Sequence, residues 1–337
     1  MQHKHYRFAT YGGIAMLIAA FAAQPMVAAL AGDPSSAAAA VSKTVTAVKV
    51  DSVSEDPAAA YWAKAPVVTS HTVTTVKGRA DGPDVSVQAV YDGKNLALRI
   101  VWADKTASVL HRAWVWDGSK FSRSDEMQDR MAVMFPIENN AKFSTKGCGA
   151  ACHNEDKDNK KWWMGSDSAS VRYDLWQWSA ANSNPAGQAQ DQWVGKQEDP
   201  TNHESALHGD ALKSGGSIAN INKDKNGPAY MNGTSITATQ ILTGQQVAID
   251  TSKLTKGAMI PSSIVAPWVG SRGDIKAKGV WKNGKWTVVL MRALSTGNDD
   301  DLTLTPPKAY PLGVAVFDHA DQVDHTVMPD VMTLKWQ

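Results

Sequence analysis

Val85-Ser86-Val87-Gln88-Ala89-Val90 and Leu96-Ala97-Leu98-Arg99-Ile100-Val101-Trp102, joined across Asp92-Gly93-Lys94-Asn95, place apolar side chains at every second position. Successive side chains of a strand point to opposite faces, so this pattern predicts two half-buried strands and a turn between them. Arg130-Met131-Ala132-Val133-Met134-Phe135 reads the same way, as do residues 170–178, 235–242, 279–281, 286–292 and 312–317. Trp281-Lys282-Asn283-Gly284-Lys285-Trp286 reads as a hairpin, because Asn-Gly accepts the positive φ angles of a two-residue turn. Many short strands, with few long segments of helical period, predict an all-β chain folded as an antiparallel β-sandwich.

Composition narrows the function classes. The chain has 43% hydrophobic and 20% charged residues, which fits a globular protein and excludes wholesale disorder or many membrane spans. Its 34 basic against 33 acidic side chains argue against a nucleic-acid partner, which normally demands a basic excess. Two Cys are too few for a disulfide framework or a four-thiolate metal site. No phosphate-binding glycine motif, nucleophile elbow or H-E-x-x-H helix is present.

Lys4 and Arg7 precede an uncharged apolar run that closes on Ala29-Leu30-Ala31, as in a secretory signal cleaved before Gly32. An uncleaved anchor is the competing reading, since the run approaches the length a bilayer requires. Cleavage of residues 1–31 removes two basic groups and no acid, leaving a nearly neutral chain with no stable membrane span, exported to the periplasm. Residues 32–55, opening on a stretch rich in Ala, Ser and Thr, read as a flexible leader, and residues 56–337 as a single domain.

Two polar stretches, residues 139–161 and 182–227, interrupt the strand rhythm and read as long loops, which in a compact domain are functional or disordered. The first contains Gly147-Cys148-Gly149-Ala150-Ala151-Cys152-His153. Covalent haem attachment uses C-x-x-C-H: two thiols add to the porphyrin vinyl groups and the adjacent imidazole becomes an axial iron ligand. Here one residue is added, giving C-x-x-x-C-H, and a small Gly-Ala-Ala bulge can absorb it. A Cys148–Cys152 disulfide, a redox-active thiol pair and a zinc site using His153 are the other readings of the same residues.

The chain resembles the haem-binding domain of the ethylbenzene dehydrogenase gamma subunit, of related subunits of molybdenum enzymes of the dimethyl sulfoxide reductase group, and of periplasmic c-type cytochromes. The resemblance rests on Asp129-Arg130-Met131-Ala132-Val133-Met134-Phe135-Pro136, on residues 147–153, on Asp174-Leu175-Trp176-Gln177-Trp178, on Gly273-Asp274-Ile275-Lys276-Ala277, on residues 286–297 and on Gly313-Val314-Ala315-Val316-Phe317-Asp318. It implies a β-sandwich of immunoglobulin-like or DOMON-like kind with long haem-binding insertions. It implies one haem and a role in electron transfer rather than catalysis, with a molybdenum oxidoreductase or another cytochrome as redox partner. Noncovalent members hold iron through Met and Lys. In the cytochrome-like members the C-x-x-x-C-H segment occupies the Met region, which implies haem c bound by Cys148 and Cys152 with His153 as proximal ligand. Noncovalent haem b on the same His is the fallback. The second ligand lies after the last core strand, where Asp318-His319-Ala320-Asp321-Gln322-Val323-Asp324-His325 contains no Lys, so the resemblance favours His325 over His319.

Met164 is the alternative axial ligand, with gap-filling in an apolar core as its ordinary role. His203 and His208 can form a metal pair or cover a haem edge, although solvated loop residues are their simpler reading. Trp162, Trp163, Trp176 and Trp178 can wall a porphyrin, pack the sandwich or form a sugar platform. The last option supplies the alternative function, an exported carbohydrate-binding module with a structural disulfide. Asp299-Asp300-Asp301 follows Gly297-Asn298 and reads as a turn, with a Ca²⁺ site of oxygen ligands as its functional alternative.

Overall fold

The computed structural model describes residues 43–74, 78–152, 164–166, 168–199, 201–202, 205–320 and 325–337, without the side chains of residues 146 and 149–152. Fourteen strands form one large sheet. In chain order they are β1 (Lys43–Lys49), β2 (Val68–His71), β3 (Val73–Thr74), β4 (Asp84–Tyr91), β5 (Asn95–Ala103), β6 (Arg130–Pro136) and β7 (Tyr173–Ser179). They continue as β8 (Gln190–Val194), β9 (Leu207–Gly209), β10 (Lys276–Trp281), β11 (Lys285–Ala293), β12 (Tyr310–Phe317), β13 (Thr326–Val327) and β14 (Met332–Trp336).

Neighbouring strands run β9-β8-β7-β6-β12-β14-β1-β4-β5-β11-β10 across the sheet, with β2 on β4 and β13 on β12 and β3. The sheet folds over, so that its first half faces its last half across one core. Alternation dictates which residues meet there. Met131, Val133 and Phe135 of β6, Trp176 and Trp178 of β7, and Leu312, Val314 and Val316 of β12 face Val85 and Val87 of β4, Leu98 and Ile100 of β5, and Val288 and Leu290 of β11. Trp178 reaches across to Trp286, ring centroids 5.0 Å apart and 67° between planes, and to Trp102 at 6.3 Å. Aromatic side chains of this size supply large buried area and edge-to-face contacts in the middle of the sandwich. Of the four Trp offered as a porphyrin wall, sandwich packing or a sugar platform, Trp176 and Trp178 are therefore fully buried core residues. Trp162 and Trp163 lie outside the described residues.

The hairpin expected at residues 281–286 joins β10 to β11, with Asn283 at φ 54° and Gly284 at φ 72°. Other expectations change. Lys43–Lys49, inside the expected leader, forms β1 and pairs in parallel with both β14 and β4, so the sandwich is mixed rather than wholly antiparallel. Val45 and Ala47 are the reason: both are completely buried, and the alternation is short enough to be lost among the small residues before it. The segment 182–227 contributes β8, β9 and the strand Ser214–Ala219, which pairs with Ser263–Val269. Residues 235–242 form turns instead of a strand, with Ile236 exposed.

An ion-pair cluster ties the two facing halves of the sheet together. Arg292 of β11, 1% exposed, places Nη2 2.8 Å from Asp174 Oδ2 of β7, and Nη1 3.1 Å from Asp191 Oδ2 of β8 and from Asp301 Oδ1. The three carboxylates hold the guanidinium in its charged form against the cost of burial, and its stacking over Trp176 at 4.6 Å adds a cation–π contact.

Candidate functional site

The cysteine segment is a helix rather than a loop. The helix α1 (Ala141–Cys152) starts where Asn140 Oδ1 accepts the backbone N–H groups of Lys142 (2.9 Å) and Phe143 (3.1 Å), the standard use of Asn at a helix N-cap. Phe143 is completely buried against Tyr173, which fixes the helix on β7. Gly147 then leaves helical geometry at φ 65°, ψ −161°, a conformation that favours Gly. The backbone irregularity of this segment thus falls at Gly147, just before Cys148.

This kink seats Cys148 on β12. A Cβ at Gly313 would lie 2.5 Å from Cys148 Cβ and 3.0 Å from its backbone N, so only Gly allows the approach. Cys148 is 5% exposed and joins an apolar cluster with Met134, Ala315, Phe317, Ala320 and Val327, against which Met164 packs. The side chain of Cys152 and all of His153 and His203 lie outside the described residues.

His325 belongs to the same face of β12. It is 6% exposed, and its ring lies 4.8 Å from Phe317 at 33°. Residues 313, 315 and 317 share this face by alternation, so the strand separates the Cys148 contact at Gly313 from the His325 contact at Phe317 by about 13 Å. His319 is placed differently: exposed, at φ 47°, with its N–H donated to Asp129 Oδ1 (3.0 Å) and its Nδ1 3.3 Å from Ser108 Oγ. Asp129, completely buried, also accepts from Ser108 N (2.7 Å) and Trp286 Nε1 (2.9 Å), so this landmark carboxylate ties the turn before His325 to the core.

Beyond the end of β12 opens a cleft of about 670 Å³, within the range of small-molecule and cofactor sites, whose wall includes Trp102, Asp104, Lys105, Val316, His319 and His325. Ala320 lines it as well and also belongs to the Cys148 cluster, so cleft and cluster adjoin. Trp102 Nε1 and Asp104 Oδ2 are sealed from solvent with no partner among the described residues. Unmet buried donors and acceptors are costly, and here they border a cavity that can hold their partners. Burial, then the Asp129 and Asp318 carboxylates, raise Asp104 to about 7 against the pull of its Thr106 N–H bond. Arg79 and Lys105 bring positive charge to the same wall.

An Ethylbenzene dehydrogenase family model matches residues 46–327. The chain belongs to the ethylbenzene dehydrogenase family. Chains of this family serve as a subunit of an oxidoreductase complex. No curated protein sequence matches this member. Among solved structures, it is similar to one from Bacteroides uniformis put forward as a carbohydrate-binding protein, with 12% identity and a TM-score of 0.38 over 88% of this chain and 100% of that one. A family 9 carbohydrate-binding module from Caldicellulosiruptor kristjanssonii in complex with cellotriose gives 8% identity and a TM-score of 0.34 over 88% and 95% of the two chains.

Two site features of this ethylbenzene dehydrogenase family chain escape sequence reading. Trp102 lines the cleft although its strand pattern marks it only as core, and Asp104 looks like a turn residue until its burial is known. Of the remaining His, His208 stacks on Trp193 with centroids 4.1 Å apart, and His71 pairs with Asp84 at 2.9 Å on the surface. Among the described residues no helix is long and apolar enough to cross a membrane.

Proposed function

We propose that the chain is a periplasmic single-haem electron-transfer protein, exchanging electrons with a redox partner such as a molybdenum oxidoreductase or another cytochrome. Cys148 and Cys152 bind the haem covalently, His153 is the proximal ligand and His325 the distal one. The observation that carries the reading is the shared face of β12: a buried thiol over Gly313 and a buried imidazole over Phe317, about 13 Å apart along the strand, bordering a cleft of about 670 Å³. The residues present fit the group. Phe317, Ala320 and Val327 offer an apolar wall, Arg79 and Lys105 suit its two carboxylates, and Trp102 Nε1 and Asp104 Oδ2 have polar capacity to spare.

When bound, haem supplies a one-electron iron couple whose potential responds to axial ligands, burial and hydrogen bonds. The chain's own contribution is rigidity and exclusion of water. Phe317 holds the His325 ring, and Asp129 fixes the positive-φ turn at His319 that leads towards it. His325 is preferred to His319 because it is buried and faces the Cys148 cluster, whereas His319 is exposed and its Nδ1 meets Ser108. Met164 packs on the same cluster and is the next candidate.

Periplasmically expressed protein run on a denaturing gel should give a haem-stained band, and an unstained band with a Soret peak in solution would move the assignment to noncovalent haem b. Absence of any Soret peak sinks the electron-transfer reading and leaves the carbohydrate-binding alternative to be tested by sugar affinity. His325→Ala should convert a low-spin spectrum to high-spin or open a carbon monoxide site. An unchanged spectrum points to Met164 or His319.

A further inference from the structure

Asp210 follows β9 and is 2% exposed, yet both of its carboxylate oxygens are sealed from water without a hydrogen-bond partner among the described residues. The carboxylates of Asp300 and Asp301 face it, one oxygen from each of the three lying within 4.8 Å of the others. Asp174 Oδ1, completely buried nearby in the same charge network, is also unpartnered. Asp191 and Asp274 add further carboxylates to the network. The cations around it are committed. Arg292 Nη1 and Nη2 serve Asp174, Asp191, Asp301 and the Leu302 carbonyl, Arg272 gives Nε to the Asp210 backbone carbonyl (3.2 Å), and Arg172 pairs with Glu138 (3.0 Å). Among the described residues, none of these cations pairs with the Asp210 carboxylate itself.

We propose that Asp210, Asp300 and Asp301 form a calcium site, with Asp210 supplying both oxygens. Ca²⁺ takes oxygen ligands at about 2.3–2.6 Å, so oxygens around one ion lie at most about 5 Å apart, which the observed spacing satisfies. The donor set contains no imidazole or thiolate, which argues against zinc and copper, and a cage of several carboxylates suits Ca²⁺ better than Mg²⁺, which retains its waters. Asp301 Oδ1 already accepts from Arg292, and Oδ2 from Thr296 and Asn298, so the turn is held in place before an ion arrives. Such an ion ties the edge strand β9 to the turn that follows β11. This site is independent of haem, since none of its residues lines the cleft.

The test uses the whole mature protein, stripped with chelator and then given CaCl2 or MgCl2 to about 1 mM, the affinity range of extracellular calcium modules. Equilibrium dialysis should find one Ca²⁺ per chain, and Ca²⁺ but not Mg²⁺ should raise Tm by roughly 1–3 °C. Asp210→Asn should abolish the shift while unfolding, metal-free, no lower than the metal-free parent. Asp300→Asn, on the less buried turn, should weaken binding at least tenfold and gives the reading if Asp210→Asn does not fold. Stripped protein that binds no Ca²⁺ overturns the proposal, as does binding unaltered by both substitutions. Soret absorbance recorded on the same samples separates this outcome from the fate of the haem reading.

Discussion

Arg292 concentrates more electrostatic consequence than any other single side chain described. Its guanidinium sits among Asp174, Asp191 and Asp301, all at most 1% exposed on the side chain, so removing it strands buried negative charge. Arg292→Met should lower the unfolding free energy by about 3–5 kcal/mol, read as a shift of the urea midpoint at unchanged m. The same cluster predicts a pH dependence. Burial first, then the Asp300, Asp301 and Asp174 charges, raise Asp210 to about 8, against about 3.9 in an unfolded chain. Between these values the folded chain holds a proton that the unfolded chain has lost. Metal-free stability is therefore fully present at acid pH and falls as pH rises from about 4 to about 8, by up to about 1.4 kcal/mol per pH unit for one group. Asp174 and Asp191 are raised in the same direction and deepen the trend. Thermal unfolding in chelator across that window should show this slope, and Asp210→Asn should flatten it. A stability that climbs with pH would contradict the assignment of Asp210 as the protonated group.

At the scale of elements, the packing of α1 on β12 joins fold and site. Gly313 is the contact point, and any side chain there meets the backbone of Cys148, which cannot rotate away. Gly313→Val should cost about 1–3 kcal/mol from overpacking and lower haem incorporation per folded chain, measured as Soret absorbance against 280 nm absorbance. A stable variant with full haem content would show that α1 can be lifted without harm. The contrast between elements explains what the sequence could reveal. The β10–β11 hairpin was legible because Asn283-Gly284 specifies its own turn, and β5 because its alternation runs for nine residues. Composition alone gives a loop for α1, since the surrounding stretch 139–161 is polar and Gly147 and Gly149 disfavour helix; Asn140 and the burial of Phe143 supply what propensity lacks. Residues 235–242 differ in the opposite sense: only their end, Ile241 and Leu242, meets Val265 in an isolated bridge, while Ile236 stays in solvent.

Over the whole molecule, sequence reading offers candidate chemistry on neighbouring residues, Cys148 with Cys152 and His153, and the family resemblance adds His325 after β12. What it missed was chemistry assembled by topology. The cleft brings Trp102 of β5 against Val316 of β12, and the acidic cluster brings Asp210 to Asp300 and Asp301, pairs separated by too much chain for any local pattern to report. The same holds for β1, whose importance lies in its neighbours. Lys43 to Ala47 pair with Met332 to Trp336 of β14, and Ala47 to Lys49 with Ala89 to Tyr91 of β4, so β1 is the link that closes one half of the sheet on the other. Removing it would expose two strand edges and take Val45 and Ala47 out of the core, where Val45 alone is worth about 1.5–3 kcal/mol. A chain beginning at Gly32 should therefore stay monodisperse in size-exclusion chromatography with light scattering. One beginning at Asp51, close to the domain start that composition suggested, should aggregate or unfold. If the shorter chain is equally soluble and melts at the same temperature, β1 is an accessory strand and the sandwich closes through β14 and β4 without it.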